Sequence, residues 1–169
     1  MPSAVPEVPT PGEAPEAFAQ RAAREKALQV AGLRPDAYVL GADTVVVIDD
    51  VIFGKPLDAD DARRMLRSLS GRTHRVLTAV ALVQPNGELE EMLVQSEVEF
   101  DVLTDPAIDA YLRTGEPFDK AGAYAVQGAG GRFVARVRGS LSNVIGLPME
   151  DVTALLRRRL PAALSGTRT

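Results

Sequence analysis

One carboxylate stands inside the most apolar stretch of this sequence, and its position limits how the chain can fold. Residues 38–48 have the composition of a largely buried strand, and Asp43 lies in their middle. Buried carboxylates are rare unless they are paired or bound to a metal. Gly54-Lys55-Pro56 follows after the turn at Asp49-Asp50. A returning strand would bring Asp43 and Lys55 to one pocket, as metal-assisted attack on a phosphate chain requires. A surface hairpin with ordinary charges is the alternative that the spacing leaves open.

Composition excludes several classes of protein. The chain has 169 residues, of which 46% are hydrophobic, enough for one compact domain with a core. It has no cysteine, which excludes disulfides, thiolate zinc sites and cysteine nucleophiles. Its 19 basic and 23 acidic residues give a net charge of −4 without any basic block, so we expect no nucleic-acid partner. No apolar run approaches the roughly 18 residues of a membrane span, and residues 1–6 do not resemble a signal peptide. We therefore expect a soluble cytoplasmic protein.

The order of predicted elements mixes hairpins with helices. Asp58 and Thr104 are predicted to begin helices, and Asn86-Gly87 is a strong hairpin signal. We expect a single α/β domain over residues 1–160, with a mixed twisted sheet and flanking helices, followed by a flexible tail at 161–169. The predicted helices are 16–30, 58–71, 104–115 and 150–160, and the predicted strands are 38–48, 76–83, 93–102, 122–127 and 132–137.

Several other residues carry a functional and a structural interpretation. Lys26 lies on a helix face that composition alone assigns to solvent. His74 is the only histidine, so it has no second histidine for a metal, and a structural role is predicted. Asn143 could bind through its amide or shape a turn, and Asp119-Lys120 has the pattern of an exposed ion pair. The glycine-rich residues 128–131 lie between predicted strands, which favours a turn beside a pocket over a dinucleotide-binding loop.

An ordered set of short segments resembles the Maf family of nucleoside triphosphate pyrophosphatases. Each segment is short, but together they keep the family's order along almost the whole chain. They are Arg24-Glu25-Lys26-Ala27, Gly41-Ala42-Asp43-Thr44-Val45-Val46, Gly54-Lys55-Pro56, Ser70-Gly71-Arg72-Thr73-His74, Asp119-Lys120-Ala121-Gly122-Ala123-Tyr124, Gln127-Gly128 and Asn143-Val144-Ile145-Gly146-Leu147-Pro148.

The resemblance implies a fold and a reaction. The fold would be related to the inosine triphosphatase architecture, with a cleft beside the sheet. The reaction would convert a nucleoside triphosphate to the monophosphate and pyrophosphate with a divalent cation, Mg²⁺ or Mn²⁺. Asp43 would be the general base that activates water, and Lys26 and Lys55 would face the phosphates. Glu7 would complete the metal site with Asp43. A homodimer is the assembly that the family suggests.

The resemblance extends to substrate choice. Thr44 after the catalytic aspartate and Gln127 after the Ala-Gly-Ala-Tyr segment match the branch that resembles dTTP/UTP pyrophosphatases. The amide of Gln127 offers a donor and an acceptor, which suits the O4/N3 edge of thymine or uracil. We therefore expect a thymine or uracil nucleotide as substrate.

One family segment has no counterpart in this sequence. Members of the family begin with a strand that runs into Ser-x-Ser-Pro-Arg-Arg, a loop that grips the triphosphate. One interpretation is that the start is misplaced and the protein is longer and active. The other is a catalytically weakened relative that only binds nucleotides, such as a regulator of cell division or septum formation.

Overall fold

The computed structural model describes residues 8–160, so Glu7 and the predicted tail at 161–169 lie outside the described residues. None of the helices within this range is both long and apolar enough to cross a membrane. The helices are α1 (Pro15–Leu33), α2 (Ala59–Leu69), α3 (Asp105–Leu112), α4 (Leu141–Ile145) and α5 (Met149–Arg159), and the strands are β1 (Val39–Ile48), β2 (Val51–Phe53), β3 (Thr73–Val83), β4 (Leu89–Phe100) and β5 (Val134–Arg138). Short 3₁₀ segments cover Glu116–Asp119, Ala121–Ala123 and Ala129–Phe133.

The five strands form one sheet in the order β2-β1-β3-β4-β5. The expected single α/β domain with flanking helices is confirmed. We expected a mixed sheet, but each neighbouring pair of the described strands is antiparallel. The connections explain this, since hairpins join β1 to β2 and β3 to β4, while α2 carries the chain across β1. Asp49 and Asp50 both have positive φ, as a two-residue type I′ hairpin turn requires.

The predicted helix starts are confirmed by their caps. The Asp58 side chain accepts a hydrogen bond from the backbone N–H of Asp61 at 2.8 Å, and Thr104 caps α3 through the N–H of Ala107. The predicted strand pair is only half right. Residues 134–138 form β5, but 122–127 form no strand, because Gly122 and Ala123 have positive φ and turn the chain out of an extended path.

The two faces of the sheet carry different cores. On one face, α1 packs small side chains against β1 and β3. A Cβ added to Gly41 would lie 2.6 Å from the Ala23 carbonyl oxygen and 2.8 Å from the Ala27 nitrogen, so the helix backbone rests directly on β1. The other face buries larger residues, among them Leu66, Phe100, Tyr111, Tyr124 and Phe133.

Candidate active site

A cleft of about 520 Å³ lies beside β1, a size that suits a small ligand. It brings together the predicted site residues that the structure describes, which come from α1, β1, the segment after β2 and the segment after α3. They are Lys26, Asp43, Thr44, Lys55 and Gln127. The sixth predicted residue, Glu7, lies outside the described residues.

Asp43 and Lys26 form an ion pair in the lining of the cleft. The Lys26 Nζ atom lies 2.6 Å from Asp43 Oδ1, and the side chains are only 18% and 8% exposed. The pair exists because α1 sits so close to β1 at Gly41, two residues before Asp43, while Lys26 is next to Ala27 in that contact. Composition placed Lys26 on a solvent-facing helix surface. The structure instead places it against the Asp43 carboxylate, in the lining of the cleft.

Lys55 reaches the cleft from the segment that follows β2. The carbonyl of Gly54 accepts a hydrogen bond from the N–H of Gly122 at 3.0 Å, which ties this segment to the 3₁₀ turn at residues 121–123. Gly122 has φ +68°, and a Cβ there would lie 2.9 Å from Val46. The position therefore requires glycine, and the backbone that carries Lys55 depends on it.

The charges of the described lining residues balance. Asp119 and Lys120 form the predicted exposed pair, with 2.7 Å between Oδ2 and Nζ, and they also line the cleft. Charge pattern alone predicted the ion pair and not the position in the cleft lining. The lining holds three lysines and three carboxylates, namely Lys26, Lys55, Lys120, Asp43, Glu116 and Asp119. A triphosphate would therefore need further positive charge beyond these groups.

Glu116 is a cleft residue that sequence reasoning missed. Its Oε1 atom accepts hydrogen bonds from the Tyr111 hydroxyl at 2.7 Å and the Gly130 N–H at 3.1 Å, and Oε2 accepts from the Ala129 N–H at 3.0 Å. Burial opposes ionisation, but the hydrogen bonds and the charge of Lys120 outweigh it and lower the pKa of Glu116. No local pattern signals these contacts, since the two backbone partners lie 13 and 14 residues further along the chain.

A chain of hydroxyl and amide contacts supports the side of the cleft that Thr44 and residues 144–146 form. The Thr44 hydroxyl oxygen lies 2.8 Å from that of Thr78 and 3.3 Å from the Gly146 carbonyl oxygen. Thr78 donates to the carbonyl of Asn143, whose side-chain amide donates to the Val76 carbonyl at 3.1 Å and to Ser96 Oγ at 2.9 Å. Asn143 is buried, so the structural interpretation of this residue is the one that the geometry favours.

His74 has the structural position predicted for it. It is buried beneath the cleft, its Nε2 atom lies 2.8 Å from the Tyr124 hydroxyl, and its ring meets Phe100 edge-on. Burial lowers the pKa of His74 from 6.5 to about 4, so the ring is neutral at physiological pH. Tyr124 lines the cleft, and His74 does not.

Comparison with known proteins shows what the chain as a whole is similar to. The Maf-like protein family model matches residues 1–159. A dTTP/UTP pyrophosphatase of Anaeromyxobacter dehalogenans is 55% identical over 151 residues, covering 88% of this chain and 76% of that protein. A dTTP/UTP pyrophosphatase of Xanthomonas euvesicatoria is 51% identical over 156 residues, covering 90% and 82%.

A solved structure also aligns with the chain. It is a nucleoside-triphosphatase / dITP/XTP pyrophosphatase of Mycobacterium abscessus, matched over 96% of this chain and 79% of the other at 17% identity. Its TM-score of 0.42 is too low for fold or activity to be inferred. The family model and the two close relatives are sufficient by themselves, and they show that this chain belongs to the Maf family.

Proposed function

We propose that this chain hydrolyses dTTP and UTP to the nucleoside monophosphate and pyrophosphate. The observation that carries the proposal is the ion pair of Asp43 and Lys26 at 2.6 Å, in the same cleft as Lys55. A general base held beside ammonium groups is what hydrolysis of a phosphoric anhydride needs. The names of the two close relatives supply the substrate class.

Asp43 is the proposed base. It takes a proton from the water that attacks the α-phosphorus, and its burial keeps competing solvent away from the carboxylate. Lys26 fixes the orientation of that carboxylate through the 2.6 Å contact and faces the phosphates with Lys55. The ammonium groups stabilise the negative charge that develops on the leaving pyrophosphate.

The donor set of the cleft fits a divalent cation that keeps several of its waters. Within residues 8–160 no three histidine, aspartate or glutamate side chains are grouped to hold a metal. Mg²⁺ commonly binds through one or two carboxylates together with substrate phosphates, and Mn²⁺ accepts similar oxygen ligands. Asp43 would be such a ligand, and Glu7 is the proposed second one. When bound, the cation would neutralise phosphate oxygens, which the balanced charges of the lining do not do.

Gln127 is the proposed reader of the base. It is exposed within the cleft lining, and its amide can donate to O4 and accept from N3–H of thymine or uracil. Thr44 is proposed to act less directly. Its hydroxyl contacts Thr78 and the Gly146 carbonyl, so it supports the wall formed by residues 144–146. A homodimer, the assembly suggested by the family, stays a prediction.

The proposal is tested by identifying products from a panel of triphosphates. We expect dTMP and pyrophosphate from dTTP, UMP and pyrophosphate from UTP, slower turnover of dCTP and GTP, and loss of turnover when EDTA removes the cation. Release of dTDP and inorganic phosphate would contradict the proposed bond cleavage. Saturable dTTP binding without products would favour the nucleotide-binding regulator instead.

The role of Gln127 has its own test. Gln127→Ala should lower kcat/KM for dTTP and UTP by about 10-fold, the effect of one lost hydrogen-bonding group, while the value for GTP changes little. Gln84→Ala is the matched control, because Gln84 is bonded to Glu88 near the β3–β4 turn and does not line the cleft. An equal loss for every triphosphate would contradict base reading by Gln127.

A further inference from the structure

The segment that carries Gln127 is held on both sides by a single ring of hydrogen bonds. We call residues 125–130 the glycine loop. The Tyr111 hydroxyl accepts from the Ala125 N–H at 3.1 Å at the start of the loop and donates to Glu116 at 2.7 Å. Glu116 accepts from Ala129 and Gly130 at the end of the loop. Gln127 therefore lies between two anchored ends that are joined through Tyr111 and Glu116.

The contact between this ring and the glycine loop is made at the backbone. A Cβ on Gly128 would overlap the Glu116 carboxylate, and a Cβ on Gly130 would lie 2.7 Å from the Tyr111 hydroxyl oxygen. The glycines let both side chains touch the main chain on the two sides of Gln127. The position of the carboxylate thus sets the path of the backbone that carries the Gln127 side chain.

An ionised carboxylate is the group that these contacts need. Both Glu116 oxygens accept hydrogen bonds from donors, and neither could donate in return. Hydrogen bonds to a charged acceptor are stronger than neutral ones. Glutamine at this position would turn an NH₂ group towards the backbone N–H of Ala129 or that of Gly130, whichever way the amide lies, so one contact of the ring would become repulsive.

We infer that Glu116 is a positioning residue for base selection. It holds the glycine loop, with Tyr111, so that Gln127 faces the base end of the cleft. The inference deepens the proposed function and rests on it for the identity of the base. The holding of the loop itself rests only on the observed hydrogen bonds.

Amide hydrogen exchange tests the holding of the loop without any reaction. In Glu116→Gln we expect roughly 10- to 100-fold faster exchange at Ala129 and Gly130, the factor for one lost charge-assisted hydrogen bond. Tyr111→Phe should accelerate exchange at Ala125 in the same direction. Glu90→Gln is the matched control, because Glu90 pairs with Arg158 and Arg159 away from the cleft. Unchanged exchange in Glu116→Gln would overturn the inference.

Substrate selectivity tests the proposed role of Glu116 in base selection. The ratio of kcat/KM for dTTP to that for dCTP should fall by about 10-fold in Glu116→Gln, chiefly through KM, because the loop is proposed to contact the base and not the reacting phosphate. In the double variant Glu116→Gln/Gln127→Ala the ratio should fall no further than in Gln127→Ala alone, because both substitutions remove the same contact between Gln127 and the base. If Glu116 had only a structural role, Glu116→Gln would reduce kcat for both nucleotides, and its effect would add to that of Gln127→Ala.

The outcomes separate the two hypotheses. A wild-type chain that turns over no triphosphate contradicts the proposed function and the selection role together, while exchange still decides whether Glu116 holds the loop. A wild-type chain that prefers dTTP, combined with an unchanged ratio in Glu116→Gln, overturns the inference and leaves the proposed function intact. Faster exchange, a reduced ratio and no additivity with Gln127→Ala support it.

Discussion

The two faces of the sheet both contribute to the cleft, but they hold their site residues by different means. On the α1 face, close contact between Gly41 and the backbone of α1 sets the distance between Lys26 and Asp43. On the opposite face, the loops around the cleft are held by polar side chains, with Glu116 on one side and Thr44 on the other. Steric packing positions the proposed base, and hydrogen bonds position the walls of the cleft.

The difference has a physical reason. A helix packed directly on a strand is a rigid arrangement, because protein interiors are close-packed and even a small change in side-chain volume affects stability. A loop has few packing contacts of its own and needs partners for its backbone N–H groups. Site residues that must hold a fixed distance are thus best carried by helices and strands, while residues that read a ligand can be carried by loops anchored at their ends.

The largest expected effect is on the α1 face. Asp43→Asn keeps the size of the side chain but removes the proposed base, so kcat for pyrophosphate release should fall by roughly 10²–10⁴-fold. Asp49→Asn is the matched control, because Asp49 pairs with Arg72 at the surface and an exposed pair contributes little. Pyrophosphate release by Asp43→Asn at the wild-type rate would remove Asp43 from its proposed role.

The next effect belongs to the opposite face and depends on pH. The pKa of His74 falls from 6.5 to about 4 on folding because the ring is buried. The unfolded chain therefore binds more protons between these values, so stability is present above pH 6.5 and is lost as pH falls towards 4. Lowering the pH from 7 to 4.5 should remove about 2–3 kcal/mol through this residue.

Urea unfolding at both pH values measures the contribution of His74. Titrating carboxylates also destabilise the protein in acid, so the informative quantity is the difference in acid loss between wild type and His74→Gln. The variant should lose about 2–3 kcal/mol less than wild type between pH 7 and 4.5, whatever its stability at neutral pH. Equal acid losses would show that the ring is not held neutral by burial.

The same difference explains which contacts can be predicted from the sequence and which cannot. The Asp58 and Thr104 caps were predictable, because each depends on residues within four positions of one another. Asp43 and Lys55 were predictable as a shared site because a short hairpin joins their strands. The Glu116 contacts were not predictable, because they join separate segments and follow no sequence period. Residues 122–127 have the composition of a strand, but the positive φ values of Gly122 and Ala123 turn the chain out of an extended path.

The third expected effect is on the contact between Gly41 and α1, and Gly32 in α1 provides the comparison. Gly41→Ala places a Cβ within 2.6–2.9 Å of Ala23 and Ala27 atoms, so α1 must shift, and we expect a loss of about 1–3 kcal/mol in the free energy of unfolding. The shift should also lower kcat, because it alters the Lys26–Asp43 contact. Gly32→Ala in the last turn of α1 meets no atom within 4 Å and should instead stabilise by about 0.4–1 kcal/mol. Equal stability of the two variants would contradict steric positioning by Gly41.

The smallest effect tests the polar wall beside β1. Thr44→Val keeps the shape of the side chain but removes the hydroxyl that contacts Thr78 and the Gly146 carbonyl, and we expect a loss of about 1 kcal/mol in unfolding free energy. If the hydroxyl acts by supporting residues 144–146, kcat/KM should fall by the same factor for dTTP and dCTP, and Thr44→Ser should restore it. A change in the dTTP-to-dCTP ratio would instead place the Thr44 hydroxyl in direct contact with the base. The wall at 144–146 would then share base selection with the glycine loop, and the division between a structural wall and a reading loop would not hold.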